Sequence, residues 1–406
     1  MRKQRVVITG MGAVSPYGKG VAPLISGIRS NACAIRPLPE YQVQGLSCRV
    51  AGLVPPLDDR SIARNLRRTM SPMSVFAYFA ACEALEQAGF DLGSGLPRMG
   101  TAMGSTLGSP QMLHEFFAMF LREQSVENMR SSVFFKVMGH SVAANVALAC
   151  GCTGRTLAPA AACASGLMAV CLGYEAIEAG REDLLLCGGA DEFHLLTAAT
   201  FDRLGAASHE AAPESASRPF DVNRSGVVCG EGAGVLLLES LDSAIARKAH
   251  ILAEIKGCAI ASSPANIAHP DTLAIADCIR QALQDAALPP SAVGYVNAHA
   301  TATEYGDIAE GQAIQEVFGS SVPVSSLKGH LGHTMAACGA LESIACVAML
   351  QESVYFPTLN LENPDVRCGE IAHIKTQARF EKGVVVKNSF ALGGCNCTVI
   401  IDNFYE

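Results

Sequence analysis

Ala161-Ala162-Cys163-Ala164-Ser165-Gly166 opens a stretch that runs to Gly180 in helix-forming residues, with apolar positions Leu167, Val170, Cys171, Tyr174 and Ile177 spaced by three or four. That spacing predicts a helix with one apolar inner stripe and places Cys163 at its start. A thiol there is expected to feel the positive end of the helix dipole and free backbone N–H groups, which stabilise thiolate and lower its pKa. The small neighbours Ala161, Ala162, Ala164 and Gly166 leave room for a substrate. Simple packing is the competing reading, and it is preferred for the chain's other cysteines. The helix start and the small residues make Cys163 a candidate nucleophile.

Two histidines follow. In Asn297-Ala298-His299-Ala300-Thr301, His299 closes a predicted strand and meets Thr301 and Thr303; in Gly332-His333-Thr334, His333 opens a helix predicted from Thr334 to Leu350. Strand C-termini and helix N-termini are where α/β proteins build sites. A single such histidine is more often structural, but two beside glycine or threonine point to function. One nucleophile and two imidazoles suggest covalent acyl chemistry, the sulfur holding an acyl group while the imidazoles act on a second substrate. His330 lies three residues before His333, so spacing leaves open which of them acts.

Outward from these motifs, short apolar runs alternate with stretches of helical period, which predicts an α/β protein of parallel strands joined by crossover helices. Strands are expected at Val6–Gly10, Leu184–Gly189, Ile251–Ile260, Tyr295–Ala298, Pro323–Ser326 and Val384–Ser389, with helices at Ser74–Gly89 and Thr272–Ala286. Gly226–Glu239 reads as strand, glycine-rich turn, strand. The pattern restarts near residue 250. The chain therefore divides into residues 1–250, carrying Cys163, and 251–406, carrying both histidines; with no long polar linker between them, the two halves share one core.

The 406 residues, half of them hydrophobic, suffice for a large core. A net charge of −8 supplies no general attraction to nucleic acid or an anionic membrane. Val6-Val7-Ile8-Thr9-Gly10 is too short an apolar run for a signal peptide, and no later run is long enough for a membrane helix, so a cytoplasmic protein is expected. The 16 scattered cysteines fit reduced thiols. Cys150-Gly151-Cys152 and Cys395-Asn396-Cys397 lack zinc-ligand spacing, and no metal is expected.

Over nearly its whole length the sequence resembles the elongating β-ketoacyl-acyl-carrier-protein synthases, condensing enzymes of the thiolase fold. The resemblance is carried by Val6–Gly12 with Ser15-Pro16, Ala162-Cys163-Ala164-Ser165-Gly166, Arg218-Pro219-Phe220-Asp221 with Gly230–Gly234, Asn297-Ala298-His299 with Thr301, Thr303, Gly306 and Asp307, Lys328 through His333 to Gly339 and Glu342, and Asn388-Ser389-Phe390 with Gly393-Gly394 and Asn396. It implies two similar halves in α-β-α-β-α layers. It implies that Cys163 takes an acyl chain from a carrier-protein thioester, with backbone N–H groups of Cys163 and Leu392 holding the oxyanion. His299 and His333 would then stabilise the enolate formed as a malonyl unit loses carbon dioxide. Lys328 and Glu342 would form a buried pair orienting His333, Asp307 and Glu310 would support the histidine loops, and Phe390 would belong to the closing loop. Thr301 and Thr303 would contact the phosphopantetheine arm, which arrives on the carrier protein, so no separate cofactor is implied. Arg60, Arg64, Arg67 and Arg68 would dock the acidic carrier. A dimer with an identical or related subunit is implied, with Asn145, Phe134 and Phe135 near the partner.

Departures from the family pattern are Ala300 in place of glycine, Thr334-Met335 in place of a more aliphatic pair, and Leu392 in place of a gating phenylalanine. The smaller gate suggests room for an unsaturated or aryl-bearing chain. Two rivals remain at this stage: a chain-length factor, which would typically lack the cysteine, and a serine acyltransferase built on Gly139-His140-Ser141-Val142-Ala143. Gly10-Met11-Gly12 lacks the third glycine of a dinucleotide fingerprint.

Overall fold

The computed structural model describes residues 3–38, 45–92, 97–380 and 383–405. The strands that position the site are β1 (Val6–Ser15), β2 (Gly100–Gly104), β3 (Thr156–Leu157), β4 (Leu184–Asp191) and β5 (Gly232–Ser240), then β6 (Ala253–Ser262), β7 (Val293–Asn297), β8 (Pro323–Ser325), β9 (Val384–Ala391) and β10 (Cys395–Asp402). They lie in the order β3-β2-β4-β5-β1-β6-β10-β9-β7-β8 within one 12-stranded sheet. β2 runs parallel to β3 and β4, and β5 is antiparallel to β4 and β1. In the second half β7 runs parallel to β8 and β9, and β10 is antiparallel to β9 and β6. Order and orientation therefore repeat strand for strand, an internal duplication that the residues themselves do not display. The halves join where Val6, Val7 and Ile8 pair antiparallel with Ile255, Glu254 and Ala253.

The expectation of purely parallel strands is corrected to a mixed sheet. The β9–β10 connection from Ala391 to Cys395 is a tight turn, and such a turn can join only antiparallel neighbours. Gly226–Glu239 also differs from its reading. Only Gly232–Ser240 is a strand, and residues 227–230 run extended with isolated bridges to Ala207, Gly52 and His333.

Eight helices matter here: α1 (Pro72–Gln87), α2 (Pro110–Glu123), α3 (Ser131–Val137), α4 (Ser141–Ala149), α5 (Ser165–Glu178), α6 (Thr272–Asp285), α7 (Glu304–Phe318) and α8 (Cys338–Glu352). α5 and α8 pack on each other and on strands of both halves, while α1 covers β1 and β5 and α6 covers β6 and β10. The layers are thus α-β-α-β-α, the thiolase-like arrangement. α8 is buried at every position from Cys338 to Leu350, and apart from Glu342 and Ser343 that stretch carries only apolar or small residues. With the turn before it, α8 is long and apolar enough to cross a membrane, yet 89% of that window is buried inside the protein.

The centre closes backbone against backbone. A Cβ added to Gly166 would lie 2.1 Å from the Ala336 carbonyl oxygen, and one added to Gly189 would lie 2.4 Å from the same atom. Only residues without side chains let the start of α5, the end of β4 and the elbow before α8 meet so closely. Gly166→Ala must therefore force these segments apart, at a cost of about 1–3 kcal/mol. Urea unfolding of the variant should show a lowered midpoint; a midpoint equal to the parent's would contradict this packing.

Candidate active site

Cys163 lies in the turn between β3 and α5. Ser165 Oγ accepts from Ala161 N–H at 2.8 Å and donates to the Ala162 carbonyl at 2.6 Å, pinning a turn in which Ala162 takes φ 44°. α5 begins at Ser165 with Ala164 as its N-cap, so Cys163 sits just outside the first turn rather than in it. The residue is 6% exposed. The expected lowering of its pKa is overturned: burial pushes the thiol well above its ordinary value, Cys338 and Asp191 push the same way, and Lys328 only partly opposes them. Desolvation of a dry sulfur outweighs the end of a helix dipole.

His333 occupies the matching turn of the second half, between β8 and α8. Its backbone N–H donates to the Val228 carbonyl and its own carbonyl accepts from Gly230 N–H, both at 2.7 Å, so a first-half segment staples it in place. His299 follows β7, and Glu310 on α7 holds its loop by accepting from His299 N–H at 2.8 Å and Ala300 N–H at 2.7 Å. The two rings stand nearly perpendicular, at 86°, with centroids 5.2 Å apart. Cys163 Sγ and a nitrogen of each ring lie within 4.8 Å of one another. His299 Nδ1 and both nitrogens of His333 are buried without a hydrogen-bond partner among the described residues. His330 does not join them; it is fully buried, with Nε2 3.5 Å from Asn31 Oδ1.

Burial pushes both site imidazoles well below the ordinary value of 6.5, and the positive charges of Lys328 and Lys387 add to it. Lys328 Nζ meets Glu342 Oε1 at 2.7 Å as expected, but neither ring nitrogen of His333 receives a hydrogen bond from that pair, so its influence on the ring is electrostatic. Asp307 supports the neighbouring loop, accepting from Phe220 N–H at 2.7 Å with Arg224 3.8 Å away; burial raises its carboxyl to about 7.

A cavity of about 240 Å³ reaches Cys163, His299 and His333. Thr301 and Thr303, hydroxyls 3.1 Å apart, line one side. Phe390 lines another with its ring 6.2 Å from that of His299, and Leu392, 40% exposed, stands at the mouth. Ser141 lies outside this cavity: it starts α4, buried, with Oγ accepting from Asn145 Nδ2 at 3.2 Å.

Residues 3–244 match the family model "Beta-ketoacyl synthase, N-terminal domain" and residues 252–362 match "Beta-ketoacyl synthase, C-terminal domain". The chain belongs to the β-ketoacyl synthase family. It is 32% identical over 410 residues to 3-oxoacyl-[acyl-carrier-protein] synthase 1 of Haemophilus influenzae, covering 99% of each chain. A β-ketoacyl synthase crystal structure from Burkholderia phymatum superposes with a TM-score of 0.95 at 38% identity, over 99% of this chain and 100% of that one. A type II polyketide ketosynthase bound to a hexaketide and in complex with its acyl-carrier protein gives a TM-score of 0.91 at 28% identity, with the same coverage.

Against this family background, three buried polar groups stand out to which the sequence reading gave no role. Lys387 Nζ meets Glu342 Oε2 at 2.7 Å. Asn388 Nδ2 donates to Glu310 Oε1 at 3.2 Å. Asp191 accepts from Ser105 Oγ and Ala336 N–H, both at 2.8 Å, tying the end of β4 to the elbow before α8. A lysine inside the run Val384-Val385-Val386-Lys387 was the available signal, because a buried lysine needs a partner.

With both pKa values depressed, His299 and His333 are neutral from neutral pH down past 6.5, and protonate only in more acid solution. Ring-carbon NMR of labelled histidine should therefore give the assigned His299 and His333 signals no midpoint between pH 8 and pH 6.5, as for buried His330 and His373, both pushed down to about 4; a midpoint above 6.5 for either site ring would contradict the burial described.

Proposed function

We propose that the chain is a β-ketoacyl-acyl-carrier-protein synthase that extends a Cys163-bound acyl chain by decarboxylative condensation with a malonyl unit on carrier protein, in fatty acid or in type II polyketide or polyene biosynthesis. The observation carrying this reading is the meeting of one buried sulfur with two unpartnered imidazoles at the end of a cavity. In the loading step Cys163 Sγ attacks the thioester carbonyl, its proton passes to a free imidazole nitrogen, and backbone N–H groups of Cys163 and Leu392 hold the oxyanion. The proton then leaves with the phosphopantetheine thiol. In the second step neutral His299 and His333 donate to the malonyl thioester oxygen. Carbon dioxide departs, the enolate carbon attacks the acyl-cysteine carbonyl, and the sulfur leaves as thiolate and takes up a proton from solvent to restore the resting thiol. A metal on the sulfur would remove the nucleophile, so the reading has no resident metal and no cofactor beyond the arm carried by the partner, for which Thr301 and Thr303 are the contacts.

Carrier protein would dock at a groove of about 1050 Å³ that Arg64, Arg67 and Arg68 line together with Arg130 and Lys136. Arg60 is not on its wall and pairs with Asp58 at 2.8 Å. Exposed Phe117, Phe134, Phe135 and Leu148 support a dimer, with an identical or related subunit, in the cytoplasm. Asn145 itself is buried and faces Thr69, with Oδ1 2.8 Å from Thr69 Oγ1. The retained Cys163 weighs against a chain-length factor.

Mixing the protein with acyl-carrier and malonyl-carrier proteins and following masses should show an adduct on Cys163 and then a ketoacyl product two carbons longer. Cys163→Ala should abolish both, Ser141→Ala should preserve both, and His299→Ala or His333→Ala should keep loading while slowing decarboxylation about 100-fold or more, since one oxyanion donor is worth about 3 kcal/mol. Polyene and aryl donors should load as well as saturated ones past Leu392; a strict preference for saturated chains would sink the open-gate reading.

The groove makes a separate demand. Arg64→Glu with Arg68→Glu should raise KM for carrier-bound substrate roughly tenfold or more, most strongly at low salt, without changing kcat. An unchanged KM would remove the groove from consideration as the docking surface.

A further inference from the structure

The Glu342 carboxylate on α8 receives two amines, Lys328 Nζ at Oε1 and Lys387 Nζ at Oε2, each at 2.7 Å, and no side chain of the three is more than 1% exposed. One ammonium already balances the carboxylate. The second lies within electrostatic reach of the buried Glu310 carboxylate, whose charge it offsets. Lys387 also donates to the Asn388 carbonyl at 2.5 Å, and the Asn388 side chain donates to Glu310, the carboxylate that holds the His299 loop. A continuous chain of polar contacts therefore runs from α8, which the His333 elbow leads into, through β9 to α7 and His299.

We propose that Lys387 is a positioning residue for condensation: it ties the His333 elbow to the His299 loop, and its positive charge, set beside both imidazoles, keeps on each ring a nitrogen that can accept a proton. This rests on the condensing reading above. The charged groups around the rings are Lys328 from the one-turn helix Lys328–Leu331, Lys387 from β9, Glu342 and the Cys338 thiol from α8, Glu310 and Asp307 from α7 with Arg224 beside them, Asp191 from β4, and the Cys163 thiol. Among the charged groups that depress both rings are the two lysines. Lys328 is held above its ordinary value by Glu342 despite the opposing pull of burial, so it stays charged. Removing the charge of Lys387 must then raise the imidazole pKa values and move any acid limb of activity upward.

Lys387→Gln keeps a donor for Glu342 and deletes the charge; Lys387→Arg keeps the charge. Ring-carbon NMR titration of the Gln variant should show imidazole midpoints about one pH unit higher than in the parent, a tenfold change in proton affinity, and the Arg variant should match the parent. The acid limb of Cys163 acylation, the step in which an imidazole takes the thiol proton, should climb with those midpoints. KM for the carrier, and acylation of Cys163 at pH 8, should stay within about twofold, because the rings of parent and variant are both neutral there. Parent-like midpoints in a folded Lys387→Gln variant would overturn the proposal, and so would equal losses of loading and decarboxylation at pH 8. Because the titration needs no turnover, a parent protein inert with both carriers would overturn the condensing reading while the midpoints still decide the electrostatic role of Lys387.

Discussion

The site exists because the Ala336 carbonyl can rest against two glycines. Gly166 opens α5 and Gly189 lies near the end of β4, and neither position has room for a Cβ. The contact brings together the two elbows that occupy the same place in the duplicated topology, one presenting Cys163 and the other His333. Each elbow holds a non-glycine residue in the left-handed region, Ala162 at φ 44° and Met335 at φ 53°. Such conformations cost about 1–3 kcal/mol each and persist where the surroundings over-determine them. Here the restraints are visible: Ser165 pins the first elbow, and Asp191 and the Val228–Gly230 segment pin the second.

Dryness then sets the protonation states. A buried sulfur and two buried imidazoles all favour their neutral forms, so the resting trio is a thiol and two neutral rings. A neutral imidazole has one nitrogen to donate and one to accept, and an imidazolium has lost the acceptor. Exclusion of water also strengthens each donor aimed at a developing oxyanion. The burial that holds the sulfur as a thiol until a substrate arrives is therefore the same burial that strengthens the histidines.

Much of this was legible in the residues. Alternating apolar runs and helical periods located most of the strands and both central helices, and the small residues around Cys163 marked its elbow before any fold was known. The restart of the pattern near residue 250 marked two halves, but no residue-by-residue repeat was legible, because strand order is kept by backbone pairing while the side chains of the halves differ: β1 meets α1 through Gly10 and Gly12, whereas β6 meets α6 through Gly257 and otherwise bulkier residues. The sign of the Cys163 shift was misread because a helix end is visible in a sequence and the depth of burial is not. The choice between His330 and His333 needed the fold too, since three residues of spacing turn one ring toward Asn31 and the other toward the sulfur.

Charge separation on the outside completes the picture. The chain carries a net charge of −8, so an acidic carrier is repelled by most of its surface. Asp58 and Asp59 neutralise Arg60 and Arg67, whereas Arg64, Arg68, Arg130 and Lys136 make no ion pair among the described residues and share one groove. Local attraction set against general repulsion selects orientation as well as encounter. The groove borders Ser71 and Pro72, where α1 begins, and Glu192 accepts from Met73 N–H and from Ser109 Oγ directly beside Asp191. Glu192, which holds the start of α1 at the groove, is thus the chain neighbour of Asp191, which fixes the His333 elbow, so the surface that would receive the carrier is tied to the backbone that sets the geometry of the site.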